Sequence, residues 1–318
     1  ELRCITMMLK IMTFPLLQHD TVQGLKAKGG ASRRIASWVW PCDKPNSRHW
    51  VVCVHGLTRQ ARDFDVLAQA LQPHARVISI DVAGRGHSDW LEDASGYHVG
   101  TYVADIAQLL MQWRMAHPEA LIDWVGTSMG GLIGMALAAQ PAFAPRRLVL
   151  NDVGPVLEWT SLKRIGEYVG KNPSFDNEDQ AVAYLASISA SFGPHTLEQW
   201  LALSRPMLRQ RADGRVGLHY DPHIAQPFEA MAQAASEEAA RQAINAGESA
   251  MWAMFDAIEC PTLLLRGADS DLLSRATAQA MGQRGPRARC VEFPGVGHAP
   301  TLVAPDQVKT VCDFLLAP

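Results

Sequence analysis

Short runs of apolar, β-branched residues alternate along most of the chain with longer stretches whose apolar residues recur at helical spacing. The longer stretches predict helices that each bury one face. The short runs predict buried strands at 50–55, 76–81, 121–126, 147–153, 262–266 and 289–293. This alternation is typical of an α/β fold, in which a mostly parallel sheet carries helices on both faces.

The alternation stops between residues 154 and 256, where the sequence has a helical pattern interrupted by prolines. One core with a large insertion suits a chain of 318 residues. We therefore predict an inserted helical cap over 154–256 and an α/β core in two parts, 31–153 and 257–318. Residues 1–30 are expected to form an N-terminal extension.

Composition narrows the choice of partner and compartment. A net charge of -3 with 48% hydrophobic residues is ordinary for a globular protein and does not favour nucleic acid or anionic membrane as a partner. Lys10 and Pro15 interrupt the apolar N-terminus, so neither a signal peptide nor a membrane span is expected there. The six cysteines form no C-x-x-C pair, which favours free thiols in a reducing compartment and predicts a cytoplasmic location.

Residues 126–130 (GTSMG) match the pattern G-x-S-x-G between a predicted strand and an Ala- and Gly-rich helix. In this pattern the serine sits on a strained strand-to-helix turn, and the glycines leave room for neighbouring backbone. The helix N-terminus points its free N–H groups at charge that develops beside the serine. Ser128 is therefore the candidate nucleophile.

A serine hydroxyl needs a histidine to take its proton, and that histidine needs an acid to orient it. His298, in the glycine-containing loop after the strand at 289–293, is the candidate base. Three aspartates follow predicted strands and are candidates for the acid: Asp271, Asp269 and Asp152.

The turn after the strand at 50–55 is the candidate oxyanion hole. The backbone N–H groups of Leu57 and Met129 are predicted to bind the oxyanion. His55 is interpreted mainly as a structural residue, and with Gly56 it is also a candidate for substrate contact.

No metal or organic cofactor is expected. The glycine-rich segment 84–88 fails the dinucleotide pattern G-x-G-x-x-G, because position 89 is aspartate. His219 and His223 are four residues apart, but Pro222 separates them, so they are not expected to share a helix face as metal ligands.

Taken together, the segments HGL, DVAGRGHSDW, GTSMGG, RGADSDLLS and GVGHAP resemble the α/β-hydrolase superfamily over about residues 50–316. Within it, the chain resembles bacterial carboxylesterase-like and lactonase-like members. The resemblance implies an α/β-hydrolase fold with a helical cap, and it favours Asp271 as the acid. Haloalkane dehalogenases and epoxide hydrolases of this fold carry aspartate where this chain carries Ser128.

The expected activity is that of a carboxylesterase, which cleaves a small-molecule ester with water through an acyl-enzyme intermediate. A lactonase or a carbon–carbon bond hydrolase would use the same triad, and a ligand-sensing protein of this fold would also retain it. Aromatic residues of the cap would give the pocket an apolar lining. Trp159 and Trp252 are the candidates for substrate contact there.

Overall fold

A computed structural model describes residues 15–24, 31–44, 46–233 and 236–318. The strands in these ranges are β1 (Leu16–Gln23), β2 (Ser32–Trp40), β3 (His49–Val54), β4 (Arg76–Ile80), β5 (Leu121–Thr127), β6 (Leu148–Asn151), β7 (Ser174–Phe175), β8 (Leu208–Gln210), β9 (Val216–Leu218), β10 (Thr262–Gly267) and β11 (Arg289–Phe293). The α-helices are α1 (Asp65–Leu71), α2 (Val99–Ala116), α3 (Met129–Ala138), α4 (Trp159–Tyr168), α5 (Glu178–Ile188), α6 (Leu197–Ser204), α7 (Gln226–Ala232), α8 (Glu237–Asp256), α9 (Arg275–Met281) and α10 (Pro305–Leu315). Short 3-10 helices lie at Ala61–Phe64, Ala94–Gly96, Ala190–Phe192, Arg205–Met207 and Pro222–Ala225.

Within the described ranges, a central sheet has the strand order β1-β2-β4-β3-β5-β6-β10-β11. Strand β2 pairs antiparallel with both of its neighbours, and all pairings from β4 to β11 are parallel. Parallel strands end at the same edge of a sheet, so the turns that follow β3, β5, β6 and β10 lie together. The predicted fold class is confirmed.

Both faces of the sheet are covered by apolar side chains. One face packs against α2 and α3, where Ile106, Leu109 and Ile133 are buried. The other face packs against α1 and α10, where Leu67 and Leu315 are buried. Burial on both faces explains why the parallel strands have nearly continuous apolar runs in the sequence.

Residues 16–23, which the sequence placed in an N-terminal extension, form β1 at the edge of the sheet. This part of the predicted extension is wrong. Six of the eight residues of β1 are exposed and five are polar, so the strand has no apolar run that would reveal it. Residues 1–14 and 25–30 of the predicted extension lie outside the described residues.

The segment between β6 and β10 corresponds to the predicted cap, and we keep that name for residues 154–256. It contains α4 to α8 and, in addition to the predicted helices, a small antiparallel sheet in the order β7-β9-β8. The cap meets the core beside β4, where Gly86 N–H donates to His219 O and Asp221 N–H donates to Gly84 O.

None of the helices in the described ranges is long and apolar enough to cross a bilayer.

Candidate active site

Ser128 occupies the turn between β5 and α3. Its backbone has φ 51° and ψ -114°, a strained conformation for a residue with a side chain. The turn is held by Ser128 N–H donating to Asn151 O at 2.9 Å and by Gly131 N–H donating to Ser128 O at 2.8 Å. This geometry presents the hydroxyl at the carboxyl edge of the sheet, as the sequence pattern predicts.

The glycines on either side of Ser128 allow the helix to approach the sheet closely. A Cβ on Gly126 would collide with the backbone of Gly130, and a Cβ on Gly130 would collide with the carbonyl group of Val54. Only glycine fits at these two positions without a shift of the backbone. The close packing fixes the start of α3, and with it Ser128, against β3.

His298 lies between a hydroxyl and a carboxylate. Its Nε2 is 3.0 Å from Ser128 Oγ, and its Nδ1 is 2.8 Å from Asp152 Oδ2. A hydroxyl that donates to Nε2 and an Nδ1–H that donates to a carboxylate form the hydrogen-bonded chain of a serine nucleophile, its base and the acid that orients the base. The structure thus brings Ser128 and His298 together as predicted.

Asp152 follows β6 directly and has no exposed surface. Its Oδ1 accepts a hydrogen bond from Gly267 N–H at 3.0 Å, and its Oδ2 accepts one from Ser270 Oγ at 2.6 Å. These donors and His298 satisfy a carboxylate that burial would otherwise penalise. The carboxylate is therefore held in one orientation toward His298.

Asp271, the acid favoured by the sequence, does not contact His298. It forms an ion pair with Arg164 of the cap, whose Nε and Nη2 donate to it at 2.7 and 2.9 Å. Burial alone would raise the pKa of Asp271, but the hydrogen bonds and charge of Arg164 outweigh burial and hold the pKa below its ordinary value. Asp269 is exposed. The geometry corrects the choice of Asp271 in favour of Asp152, because Ser270 binds Asp152 and the chain then turns Asp271 toward the cap.

The turns that carry Leu57 and Met129 lie side by side, since Val54 of β3 pairs with Gly126 of β5. One buried side chain joins them: Arg85 Nε donates to Leu57 O at 2.8 Å, and Arg85 Nη2 lies 3.7 Å from Met129 Sδ. Arg85 has no exposed surface, and among the described residues no carboxylate forms an ion pair with it. A positive charge thus lies directly behind the predicted oxyanion hole.

His55 is structural. It has no exposed surface, its Nδ1 is 2.7 Å from Gly56 O, and its Nε2 accepts a hydrogen bond from Val82 N–H at 3.0 Å. Burial lowers the pKa of His55 to about 3, and the positive charges of Arg85 and Arg59 act in the same direction. The candidate substrate contact at His55 is therefore wrong, whereas Gly56 does line the cavity beside Ser128.

A cavity between the core and the cap contains Ser128 and His298. Its apolar wall comes mostly from the cap, with Ile165, Leu185 and Phe192 among the lining residues. The predicted apolar lining is therefore present, and it includes Tyr184, one of the cap aromatic residues expected there.

Neither tryptophan predicted to contact substrate is among the described residues that line this cavity. Trp159 Nε1 donates to Glu237 Oε1 on the cap surface at 3.0 Å. Trp252 packs against Phe255, with Arg284 stacked 4.2 Å from the centre of its ring. Both predictions of a substrate contact are wrong.

Three arginines at the site were not predicted from the sequence. Arg59 and Arg164 line the cavity, and Arg85 lies behind the predicted oxyanion hole. Arg85 lies in the glycine-rich segment 84–88, which does not match the dinucleotide pattern. An arginine between two glycines at a strand end was the available signal, whereas Arg164 has no local pattern that sets it apart from other surface arginines.

Within the described ranges, no group of three or more His, Cys, Asp or Glu side chains is placed to hold a metal ion. The chemistry that the site can perform with its own residues is proton transfer and nucleophilic attack by a serine.

Known proteins resemble this chain over most of its length. Residues 51–311 match the model of the alpha/beta hydrolase family. The chain is 48% identical to the 3-hydroxybutyrate-oligomer hydrolase of Cupriavidus necator, over 88% of this chain and 92% of that protein. It is 26% identical to the 2-(acetamidomethylene)succinate hydrolase of Mesorhizobium japonicum, over 82% of this chain and 86% of that protein.

The crystal structure of an alpha/beta hydrolase from Novosphingobium aromaticivorans superimposes with a TM-score of 0.79 at 34% sequence identity, covering 96% of this chain and 99% of that chain. The match extends over the core and the cap together. With the family match over most of the sequence, it establishes that this chain is a member of the alpha/beta hydrolase family.

Proposed function

We propose that the protein is a serine esterase that cleaves carboxylic esters through an acyl-enzyme intermediate. The observation that carries the proposal is the position of His298, 3.0 Å from Ser128 Oγ and 2.8 Å from Asp152 Oδ2. Ser128 is the nucleophile, His298 the general base, and Asp152 the acid that orients the histidine.

In the first half of the reaction, His298 Nε2 takes the proton of Ser128 while Oγ attacks the ester carbonyl carbon. The carbonyl oxygen becomes an oxyanion, which the N–H groups of Leu57 and Met129 bind. As the tetrahedral intermediate collapses, His298 gives its proton to the departing alcohol and Ser128 keeps the acyl group. The imidazolium that forms in between is stabilised by Asp152.

In the second half, His298 removes a proton from water, and the resulting hydroxide attacks the acyl-enzyme carbonyl. The same N–H groups bind the second oxyanion. Ser128 then leaves with the proton held by His298, which releases the carboxylic acid and restores the enzyme. Each proton lost by a nucleophile is thus returned to a leaving group, so the cycle needs no further reactant.

The Arg85 guanidinium supports the oxyanion in this scheme. Its hydrogen bond to Leu57 O holds the turn that carries one of the two N–H donors. Its charge also favours negative charge on the bound oxygen, and the buried surroundings strengthen that effect.

We further propose that the substrates are short oligomers of 3-hydroxybutyrate, small molecules whose units are joined by ester bonds. The support is the 48% identity to a 3-hydroxybutyrate-oligomer hydrolase over nearly the whole of both chains. The cavity also suits such a ligand, because it combines an apolar wall with serine, threonine and arginine side chains.

The test is hydrolysis of the 3-hydroxybutyrate dimer by the wild type and by Ser128→Ala, followed as released 3-hydroxybutyrate. We expect turnover by the wild type and a loss of kcat of about 10⁴-fold or more in the variant, with an unchanged circular dichroism spectrum. Undiminished turnover in Ser128→Ala would exclude the serine mechanism. Cleavage of p-nitrophenyl butyrate without cleavage of the dimer would exclude the proposed substrates.

A further inference from the structure

The cavity that contains Ser128 has a pronounced bias in charge. Arg59 and Arg164 are among its lining residues, and none of the described residues that line it is aspartate or glutamate. An uncharged ester would need no such lining. The carboxylate partners of the two arginines, Asp63 and Asp271, are not among the described lining residues, so the surface that a ligand meets presents guanidinium groups and favours a negative charge.

Arg164 and Tyr168 lie one turn apart on α4 of the cap and both face the cavity. Side chains four residues apart lie on the same face of a helix. A guanidinium beside a phenol hydroxyl provides several N–H and O–H donors toward one point, which matches the oxygens of a carboxylate.

The Arg164 guanidinium is held in place by hydrogen bonds to neighbouring side chains. Two of its nitrogens donate to Asp271 at 2.7 and 2.9 Å, and Nη2 also lies 3.3 Å from Ser161 Oγ. Tyr168 also forms a hydrogen bond with this guanidinium. A guanidinium has five N–H donors, more than Asp271, Ser161 and Tyr168 occupy. Asp271 thus orients the group from the core side without using all of its donors.

Arg164 is more accessible to a ligand than the second arginine of the cavity. Its side chain is 35% exposed, compared with 10% for Arg59. Arg59 is also more fully engaged, since it donates to both oxygens of Asp63 and to Leu203 O. The carboxylate of a ligand can therefore bind Arg164 without breaking the more deeply buried ion pair of Arg59 and Asp63.

The ion pair of Arg164 and Asp271 is also close to the reacting groups. Arg164, Ser128 and His298 line one cavity. A ligand with an ester at Ser128 and a charged end a few bonds away can therefore reach both.

We propose that Arg164, together with Tyr168, binds the free carboxylate of the substrate, so that the enzyme selects hydroxy-acid esters with an anionic end over neutral esters. The inference rests on the proposed function, because an oligomer of 3-hydroxybutyrate ends in such a carboxylate next to its last ester bond. Asp271 serves as a positioning residue for Arg164.

The test compares two dimers of 3-hydroxybutyrate that differ only at the end, one with a free carboxylate and one with a terminal carboxamide. Both contain the same single ester bond. We expect the wild type to have a kcat/KM at least tenfold higher for the acid. Arg164→Met should lower kcat/KM for the acid by tenfold or more, mainly through KM, and leave the amide within about threefold of the wild type.

Two further variants separate charge recognition from a general loss of structure. Asp271→Asn keeps the guanidinium in the cavity but weakens the contact that orients it, so it should reduce the preference for the acid without abolishing it. Arg205→Met removes a cap arginine that is exposed, pairs with Glu178 and does not line the cavity, and it should behave as the wild type. Melting temperatures of all variants show whether the cap remains folded.

Equal kcat/KM for the acid and the amide in the wild type would overturn the inference and leave the proposed function intact. An equal loss for both dimers in Arg164→Met would overturn it as well. Cleavage of p-nitrophenyl butyrate with no cleavage of either dimer would overturn the proposed substrates and the inference together. An acid preference that disappears only in Arg164→Met supports it.

Discussion

The α/β core and the cap both contribute to one cavity, but they differ in how tightly their side chains are packed. In the core, Asp152 is fully buried, and α3 packs so closely that Gly126 and Gly130 have no room for a side chain. In the cap, by contrast, Arg164 keeps more than a third of its side-chain surface exposed, and so does the core residue Asp271 that pairs with it.

This difference separates two tasks. Proton transfer and nucleophilic attack depend on distances of about 3 Å, so the groups that perform them are fixed by close packing. Selection of a substrate depends on charge and shape, which a more exposed cap can vary without disturbing the reacting groups. We therefore expect large losses from changes in the core and smaller, substrate-dependent ones from changes in the cap.

The largest expected effect comes from the acid at the end of β6. Asp152→Asn leaves the shape of the side chain but removes the charge that orients His298, so kcat should fall by about 10³- to 10⁴-fold. Asp269→Asn, a change in an exposed aspartate of a neighbouring loop, should stay within about twofold. Steady-state kinetics on p-nitrophenyl butyrate provides the comparison. A collapse of kcat in Asp271→Asn instead of Asp152→Asn would restore the assignment made from sequence.

Replacing a glycine by alanine should change the free energy of unfolding in opposite directions in the two regions. Gly130→Ala forces a Cβ against the Val54 carbonyl and should lower the free energy of unfolding by about 3 kcal/mol. Gly247→Ala, in helix α8, meets nothing within 4 Å and should be neutral or stabilising by up to about 1 kcal/mol. Urea unfolding measures both. Equal destabilisation by the two variants would contradict the difference in packing.

The buried His55 should make the core sensitive to acid. Because burial places the pKa of folded His55 near 3, below the value of about 6.5 expected when unfolded, only the unfolded chain takes up the proton between these values. Stability is therefore complete above about pH 6.5 and falls as the pH decreases. His55→Gln should reduce this slope by up to about 1.4 kcal/mol per pH unit. A residual slope is expected, since burial also lowers the pKa of His219, to about 4.

Urea unfolding of the wild type and of His55→Gln at pH 5 and at pH 7 measures this contribution. An unchanged difference between the two free energies in His55→Gln would show that His55 is not the group responsible.

The smallest effect is expected on the outer surface of the cap. Trp159→Phe removes one exposed hydrogen bond to Glu237 and should change kcat/KM for the 3-hydroxybutyrate dimer by less than about twofold. Phe192→Ala removes a side chain that lines the cavity and should raise KM by several-fold. A larger loss of kcat/KM in Trp159→Phe than in Phe192→Ala would contradict the assignment of this cavity as the substrate site.

The sequence predicts the core well because its signals are local. The strand, the turn and the helix around Ser128 occupy consecutive residues, and Gly126 reflects a close contact within that unit, with the backbone of Gly130. His298 follows a strand in a loop of its own. Their meeting follows from the rule that parallel strands end at one edge of the sheet.

The acid could not be chosen on such grounds. Asp152, Asp269 and Asp271 all follow strands that end at the same edge. Which of them reaches His298 depends on Ser270 bonding to Asp152 and on Arg164 of the cap drawing Asp271 away. Both contacts join residues more than 100 positions apart, so no local pattern reports them.

The substrate contacts of the cap were missed for a related reason. Aromatic residues are frequent in the segment, but the face that each helix turns to the cavity is set by packing against the core. Trp159 consequently faces Glu237, whereas Phe192 reaches the cavity. Composition identifies the kind of wall and not the residues that form it.

The most direct test of the account is to find the acyl group on the enzyme. Wild-type protein mixed with the 3-hydroxybutyrate dimer is quenched in acid within milliseconds, digested, and examined by mass spectrometry. We predict one 3-hydroxybutyryl group on the peptide that carries Ser128, and none in Ser128→Ala. Steady turnover of the dimer with the acyl group on another residue, or with the same label in Ser128→Ala, would contradict the account.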